Sequence, residues 1–235
     1  MNPSVSLLIP AYNEETTLAA TVGRAQRAVR ACTEDYEIVV LDDASRDSTA
    51  EISRRLADDD PRHVRALRHE TNRGIAATFE DLYRAASKDY VFLVPADNEF
   101  PPEILEQIVP MLSHCDVVLC QRTHKPYTFW RKIVSGAYRR LPRLLFGVDL
   151  HDAGSIKCVR REIFERVPVV SKGVFVEAER LIRAARRGYR FGVVEIRQEL
   201  RQAGVARGAR FSVVARAFRE MMELWVRLVL LRQDP

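Results

Sequence analysis

The chain has 235 residues, 47% of them hydrophobic and 29% charged, which is enough for one sizeable core and excludes a disordered or fibrous protein. Lys and Arg outnumber Asp and Glu by 37 to 32, a mild excess that suits an anionic small molecule or an acidic membrane surface. The arginines are not interleaved with any nucleic-acid-binding motif, so nucleic acid is not expected as a partner.

The first predicted element is a buried strand in "SVSLLIP", ended by Pro10. A helix follows in "NEETTLAATVGRAQRAVRAC", with Asn13 as its N-cap and acidic residues in its first turn. "YEIVVLDDAS" reads as a second buried strand, "RDSTAEISRRLADDD" as a helix, "VRALRH" as a short strand, "GIAATFEDLYRAAS" as a helix and "DYVFLVPA" as a fourth strand. Strands alternating with helices predict an α/β fold with a parallel sheet and its chemistry at the carboxyl ends of the strands.

Beyond residue 100 the pattern loosens. "PEILEQIVPMLS" predicts a helix and "CDVVLCQR" a strand ending at Arg122, before a stretch that mixes aromatic, apolar and Arg residues. Residues 211–231 carry Val214, Phe218, Met221, Met222, Trp225 and Leu228 at helical spacing among charged residues. Such a helix can lie in a lipid interface, pack on the domain or join two copies as a homo-oligomer. No stretch reaches the roughly 18 apolar residues of a membrane span, and the N-terminus lacks a signal-peptide pattern. The expected location is therefore cytoplasmic, peripheral at the membrane face if the last helix meets lipid. Cys32, Cys115, Cys120 and Cys158 form no CxxC pair and are expected to be reduced thiols.

Polar clusters end three of the predicted strands: "AYNEE", "DDASRDS" and "ADNE". In an open α/β sheet they point into one crevice. Turn-shaping and capping account for part of them, but adjacent Asp42 and Asp43 repel unless a cation or a donor-rich ligand lies between them, and a ligand is the expectation.

In order, "IPAYNEE", "VVLDDASRDST", "NRG" and "PADNEFPPE" resemble the nucleotide-sugar-binding half of a GT-A fold, family 2 glycosyltransferase. "CQR", "HDAGSIKCVRRE", "GYR" and "RQAGVARG" extend the resemblance to the polyprenyl-phosphate branch, of the dolichyl-phosphate mannosyltransferase and undecaprenyl-phosphate sugar transferase type. The resemblance implies a Rossmann-like, mostly parallel sheet flanked by helices, with a C-terminal amphipathic helical segment. Residues 1–115 would bind the nucleoside-diphosphate sugar, 116–210 the acceptor within the same domain, and 211–235 would form the last helix. It further implies an inverting hexosyltransferase with a polyprenyl phosphate as acceptor.

Carried over by position, Pro10, Ala11, Tyr12, Glu14, Asp42 and Asp43 would surround the base and ribose, with Arg201 and Arg207 closing over the diphosphate. The family writes the stretch after the fourth strand as Asp-Ala-Asp-Leu-Gln. Here Pro95 replaces the first aspartate, Asp97 keeps the second, and Glu99 stands at the glutamine. Alternate positions of an extended segment point the same way, so Asp97 and Glu99 are expected to present oxygens to one Mg²⁺ or Mn²⁺. A metal-independent site, with Arg and Lys neutralising the diphosphate, is the alternative.

The resemblance further implies Asp97, Asp152, Arg122 and Arg131 as the catalytic group, with Ser155 and Lys157 nearby. A guanidinium fork suits an acceptor phosphate, which needs no general base. Two other readings are a mutase or epimerase that rearranges the sugar nucleotide, and a non-catalytic nucleotide- or membrane-binding subunit.

Overall fold

Seven consecutive buried residues form β1 (Val5–Ala11), and β2 (Tyr36–Asp42) is buried over its whole length as well. Such fully buried, mostly apolar runs, interrupted only by Ser6, Glu37 and Asp42, mark parallel strands covered on both faces. Leu7 and Ile9 of β1 join the core shared with α1 (Leu18–Cys32), while Leu8 packs with Leu82 and Tyr83 of α3 (Ile75–Ala85) on the opposite face. Between them lie α2 (Thr49–Asp59), β3 (Val64–Arg68) and β4 (Tyr90–Leu93). The computed structural model describes residues 3–123, 129–171, 173–197 and 211–233.

Pro10 does not end β1, which runs one residue further and pairs Ala11 with Asp42. Leu8 accepts from Val94 N on the β4 side. Pro10, two residues on, turns its missing N–H to that side, beyond the last β1–β4 pair at Leu8 and Leu93, so no ladder bond is lost.

The second half adds α4 (Leu105–Ile108), β5 (Val117–Arg122), α5 (Phe129–Phe146), β6 (Lys157–Arg160), α6 (Glu162–Arg166), α7 (Val176–Arg186), β7 (Phe191–Ile196) and α8 (Phe211–Trp225). The single helix expected over 102–113 is instead a four-residue α-helix between two 3₁₀ turns. Pro110, which has no N–H to continue the ladder, explains the break.

All seven strands join one sheet in the order β3-β2-β1-β4-β6-β5-β7. Six run parallel, and β6 is antiparallel to both of its neighbours, β4 and β5. Its amino end therefore lies at the edge where the other strands finish. The order reverses between β1 and β4, the kind of switch point at which open α/β sheets bind ligands.

On α8 and the turn after it the apolar residues divide between two sides. Ala217, Met221 and Leu224 of α8 and Leu228 just beyond it are buried in a core with α5 and α7, whereas Phe218 is half exposed. The six residues grouped from the sequence thus do not form one lipid-facing stripe, because Met221 and Leu228 already cover the domain. A π-helical turn (Val226–Leu230) follows, with Leu230 and Leu231 exposed. Among the described residues no helix is long and apolar enough to cross a membrane. Cys115, Cys120 and Cys158 are buried free thiols, Cys32 is half-buried, and burial pushes the Cys120 thiol up to about 12.

Candidate active site

The tips of β1 and β2 are laced together. Asn13 N donates to Ser45 Oγ (2.9 Å), Arg46 N donates to Asn13 Oδ1 (2.9 Å), and Glu14 N donates to Thr49 Oγ1 (2.8 Å). Asn13 is therefore not a helix cap: α1 begins at Leu18 behind Thr17 and has no acidic residue in its first turn. Asn13 sits at φ 56° and Ala44 at φ 58°, left-handed values that Asn tolerates and Ala adopts only under constraint. Tyr12 is 36% exposed, so its side chain is not part of the core. Pro10 and Ala11 are buried strand residues that hold the tip in place. Glu14 accepts from the Thr17 hydroxyl (2.9 Å).

The adjacent carboxylates of Asp42 and Asp43 go to different places, and the protein itself supplies the donors that the sequence reading assigned to a ligand. Asp42 is fully buried, with Oδ1 accepting from Ser45 N (3.0 Å) and the Ser45 hydroxyl. Its Oδ2 has no hydrogen-bond donor and only the charge of Arg68, whose Nε lies 3.2 Å away. Asp43 binds the loop before α3: Oδ1 meets His69 Nδ1 (2.7 Å) and Arg73 N (2.8 Å), and Oδ2 accepts from Gly74 N (2.9 Å). The other His69 nitrogen faces Asp81 Oδ2 at 3.1 Å. Nothing in the strand pattern singled out His69 or Arg68, although "RHETNRG" carries the donors.

Burial works to raise the Asp43 carboxyl, but the Arg73 N–H, His69 and the Gly74 N–H outweigh it and hold the group below the usual carboxylate range. Asp43→Asn is accordingly expected to cost about 1–3 kcal/mol in urea unfolding, because an amide nitrogen would face backbone donors. A depressed folded-state pKa stabilises above the unfolded value, near pH 4. The difference between the two proteins should be complete above that pH and shrink as the pH falls through the lower folded value.

After β4 the chain turns and does not stay extended. Asn98 has φ 57°, and the Thr21 hydroxyl of α1 lies 2.8 Å from Asn98 Oδ1 and 3.1 Å from the Ala96 carbonyl. The alternation assumed for Asp97 and Glu99 is thus replaced by a turn, in which Glu99 N donates to Asp97 Oδ1 (3.1 Å). Asp97 is 8% exposed and Glu99 half-buried. Among the described residues no three His, Cys, Asp or Glu side chains converge as a metal cage. Two carboxylates on one turn are instead the donor set of a hard cation that keeps waters and takes substrate phosphates, so the residues fit Mg²⁺ or Mn²⁺.

Across the crevice, Arg122 ends β5 and Asp152 lies in the loop that leads into β6. The reversed strand is what brings them together. Arg122 Nε donates to Asp152 Oδ2 (2.8 Å) and Nη2 to Oδ1 (2.9 Å), with the side chains 11% and 7% exposed. His151, just before Asp152, is also left-handed (φ 48°).

Beneath them Lys157 pairs with Glu177 (2.9 Å), which also accepts from Tyr83 Oη (3.0 Å). Burial tends to raise Glu177, but Lys157 and Arg180 outweigh it and keep it below the ordinary range. Arg131 lies in α5 with a side chain outside the described part, and Arg201 and Arg207 lie outside the described residues. Tyr12, Glu14 and Asp42 thus lie at the ends of β1 and β2, Asp97 and Glu99 in the turn after β4, and Arg122 with Asp152 at the end of β5 and before β6.

Fold and crevice together define an α/β domain of the GT-A type. The chain belongs to glycosyl transferase family 2, whose family model matches residues 6–167. It is 29% identical over 163 residues to undecaprenyl-phosphate 4-deoxy-4-formamido-L-arabinose transferase from Yersinia enterocolitica, covering 68% of this chain and 50% of that one. The enzyme of the same name from Pectobacterium atrosepticum is 31% identical over 162 residues, covering 68% of this chain and 50% of that one. The chain thus spans about half the length of these curated relatives. Among solved structures, glucosyl-3-phosphoglycerate synthase from Mycobacterium tuberculosis, in complex with Mn²⁺, UDP and phosphoglyceric acid, superposes with a TM-score of 0.73. That match has 20% identity and covers 95% of this chain and 78% of the other, a likeness of fold.

Proposed function

We propose that the protein is an inverting glycosyltransferase that moves a sugar from a nucleoside diphosphate to a polyprenyl phosphate. The observation that carries this reading is the convergence of Asp42, Asp97 and the Arg122–Asp152 pair on one sheet edge within a family 2 domain. Residues 1–115 form the donor half and 116–210 the acceptor half. The names of the curated relatives support the lipid phosphate as acceptor.

On the donor side the exposed Tyr12 ring stacks on the base, and Asp42, buried beneath the tips of β1 and β2, fixes the Ser45 loop that frames it. Glu14 binds a ribose hydroxyl. Asp97 and Glu99 would hold a divalent cation, which supplies positive charge to the leaving diphosphate.

On the acceptor side Arg122, held flat by Asp152, orients the acceptor phosphate, with Arg131 as a second cation. A phosphate oxygen forms the new bond to the anomeric carbon as the bond from that carbon to the nucleotide breaks, through an oxocarbenium-like transition state. The electron pair leaves with the nucleoside diphosphate, and no proton moves. Asp152, whose two oxygens both accept from Arg122, is thereby a positioning residue and not a base.

Arg201 and Arg207, outside the described residues, are assigned to the diphosphate by the family resemblance alone. Work at the cytoplasmic face of a membrane follows from such an acceptor, with Phe218, Leu230 and Leu231 as the lipid contacts. Replacing all three by Ser is expected to abolish co-sedimentation with anionic vesicles without loss of fold.

The deciding experiment is incubation of the protein with UDP-, GDP- and TDP-linked sugars, Mn²⁺ and undecaprenyl phosphate. Nucleoside diphosphate released only when the lipid phosphate is present supports the proposal. A new sugar nucleotide formed without acceptor would replace it with a mutase or epimerase.

A further inference from the structure

A cavity of about 280 Å³ opens between α3, the end of β4, the loop before β6 and the start of α7. Pro95, two residues before Asp97, and Gly154, two after Asp152, both line it, so it borders the segments that carry the donor and acceptor residues. Ile75, Phe79, Leu93 and Val174 make its wall mainly apolar, and Ile75 and Val174 are 56% and 50% exposed.

One ion pair interrupts that hydrocarbon. Lys157, the first residue of β6, and Glu177, in the first turn of α7, both line the cavity. Lys157 Nζ lies 2.9 Å from Glu177 Oε2, and the side chains are only 12% and 13% exposed. Burying two charges costs desolvation, so a wall that served packing alone would be better made of apolar side chains.

The two charges are not held equally. Glu177 Oε2 also accepts from Tyr83 Oη (3.0 Å), and Oε1 accepts from Arg180 Nη1 (3.1 Å). Arg180 is fixed in turn: its guanidinium carbon lies 4.9 Å from the ring centre of Phe164 and 5.4 Å from that of Tyr83, and Nη2 donates to Glu80 Oε1 (2.6 Å). Lys157 has, besides Glu177, only the Ser155 carbonyl at 3.5 Å among the described residues. If Lys157 leaves, Glu177 therefore keeps two donors, whereas the lysine has a flexible stem on which to turn to another anion.

Resting on the glycosyltransferase reading, we propose that Glu177 is a positioning residue, which holds the Lys157 ammonium at the cavity wall and yields it to a phosphoryl oxygen of the incoming substrate. Both substrates carry such oxygens, the leaving diphosphate and the acceptor phosphate, and an ammonium suits either. Tyr83 and Arg180 then hold Glu177, so the exchange strands no carboxylate.

The test is calorimetric titration of UDP, GDP and TDP with Mn²⁺, and of farnesyl phosphate, into the wild-type protein and three variants. Lys157→Met should weaken whichever ligand meets the ammonium by about tenfold or more, and Lys157→Arg should retain most of the binding. Glu177→Gln keeps an acceptor oxygen but no charge that competes for Lys157, so it should tighten the same ligand about fivefold. Opposite signs from the two halves of one ion pair are decisive. A pair that only braces the fold would weaken binding from either side, and a damaged fold does not bind more tightly.

A response confined to the nucleotides assigns Lys157 to the leaving diphosphate, and one confined to farnesyl phosphate assigns it to the acceptor; either supports the proposal. Where Lys157→Met fails to fold, the sign in Glu177→Gln decides. Weaker binding in both variants, or unchanged binding in both, overturns the proposal and leaves the nucleotide site standing. Failure of the wild-type protein to bind any of these ligands removes the glycosyltransferase reading and the proposal with it.

Discussion

Asp97→Asn is expected to lower sugar transfer by about 10²- to 10³-fold, the loss typical when one group that stabilises developing transition-state charge is removed. The change keeps the side-chain oxygen that accepts from Glu99 N, so the turn and its link through Thr21 to α1 survive. What disappears is one of two carboxylate charges on the turn after β4. Glu99→Gln, at a half-buried position, should cost about tenfold. Turnover measured over a range of Mn²⁺ concentrations separates the causes: a lost ligand shifts the metal dependence, whereas a damaged fold lowers the plateau and the melting temperature together. Full activity in Asp97→Asn would discard the proposed cation site.

The second large effect concerns the Arg122–Asp152 pair. Removing one partner of a buried ion pair leaves the other charge without its counterion, and Asp152→Ala is expected to destabilise by about 3–5 kcal/mol in chemical denaturation. Asp152→Asn keeps an acceptor for one arm of the guanidinium and should cost less. Arg122→Lys preserves charge but not the two-pronged fork, so it should raise KM for the acceptor phosphate more than it lowers stability. A strong fall in kcat for Asp152→Asn, with a pH profile losing its acid limb, would instead make Asp152 a general base.

The strands of the first hundred residues were legible because parallel strands buried on both faces read as nearly continuous apolar runs, as β1, β2 and β4 do. The polar residues after β1, β2 and β4 could be placed at one edge for the same reason, since parallel strands finish together. What could not be read was how those tips spend their hydrogen bonds. Asn13 looks like a cap in sequence, yet its bonds go to a loop more than thirty residues away. Asp43 looks like a ligand contact, yet its donors come from the loop before α3. The turn at Asp97 escaped because Asn98 in a left-handed conformation has no periodic signature. Nor does any pattern place Lys157 and Glu177 on one cavity, since only the fold brings β6 and α7 together.

The reversed strand has a consequence for the order in which the protein is built. β5 is synthesised before β6, yet in the sheet it touches β4 only through β6, which pairs with both. The block β3-β2-β1-β4 can close on the ribosome as soon as residue 93 has emerged. β5 must then wait some forty residues, without an edge to join, until β6 arrives to bridge the gap. Such non-local pairing is slow and leaves hydrophobic strand surface uncovered meanwhile. Nascent chains stopped between β5 and β6 should therefore be the ones that chaperones hold longest.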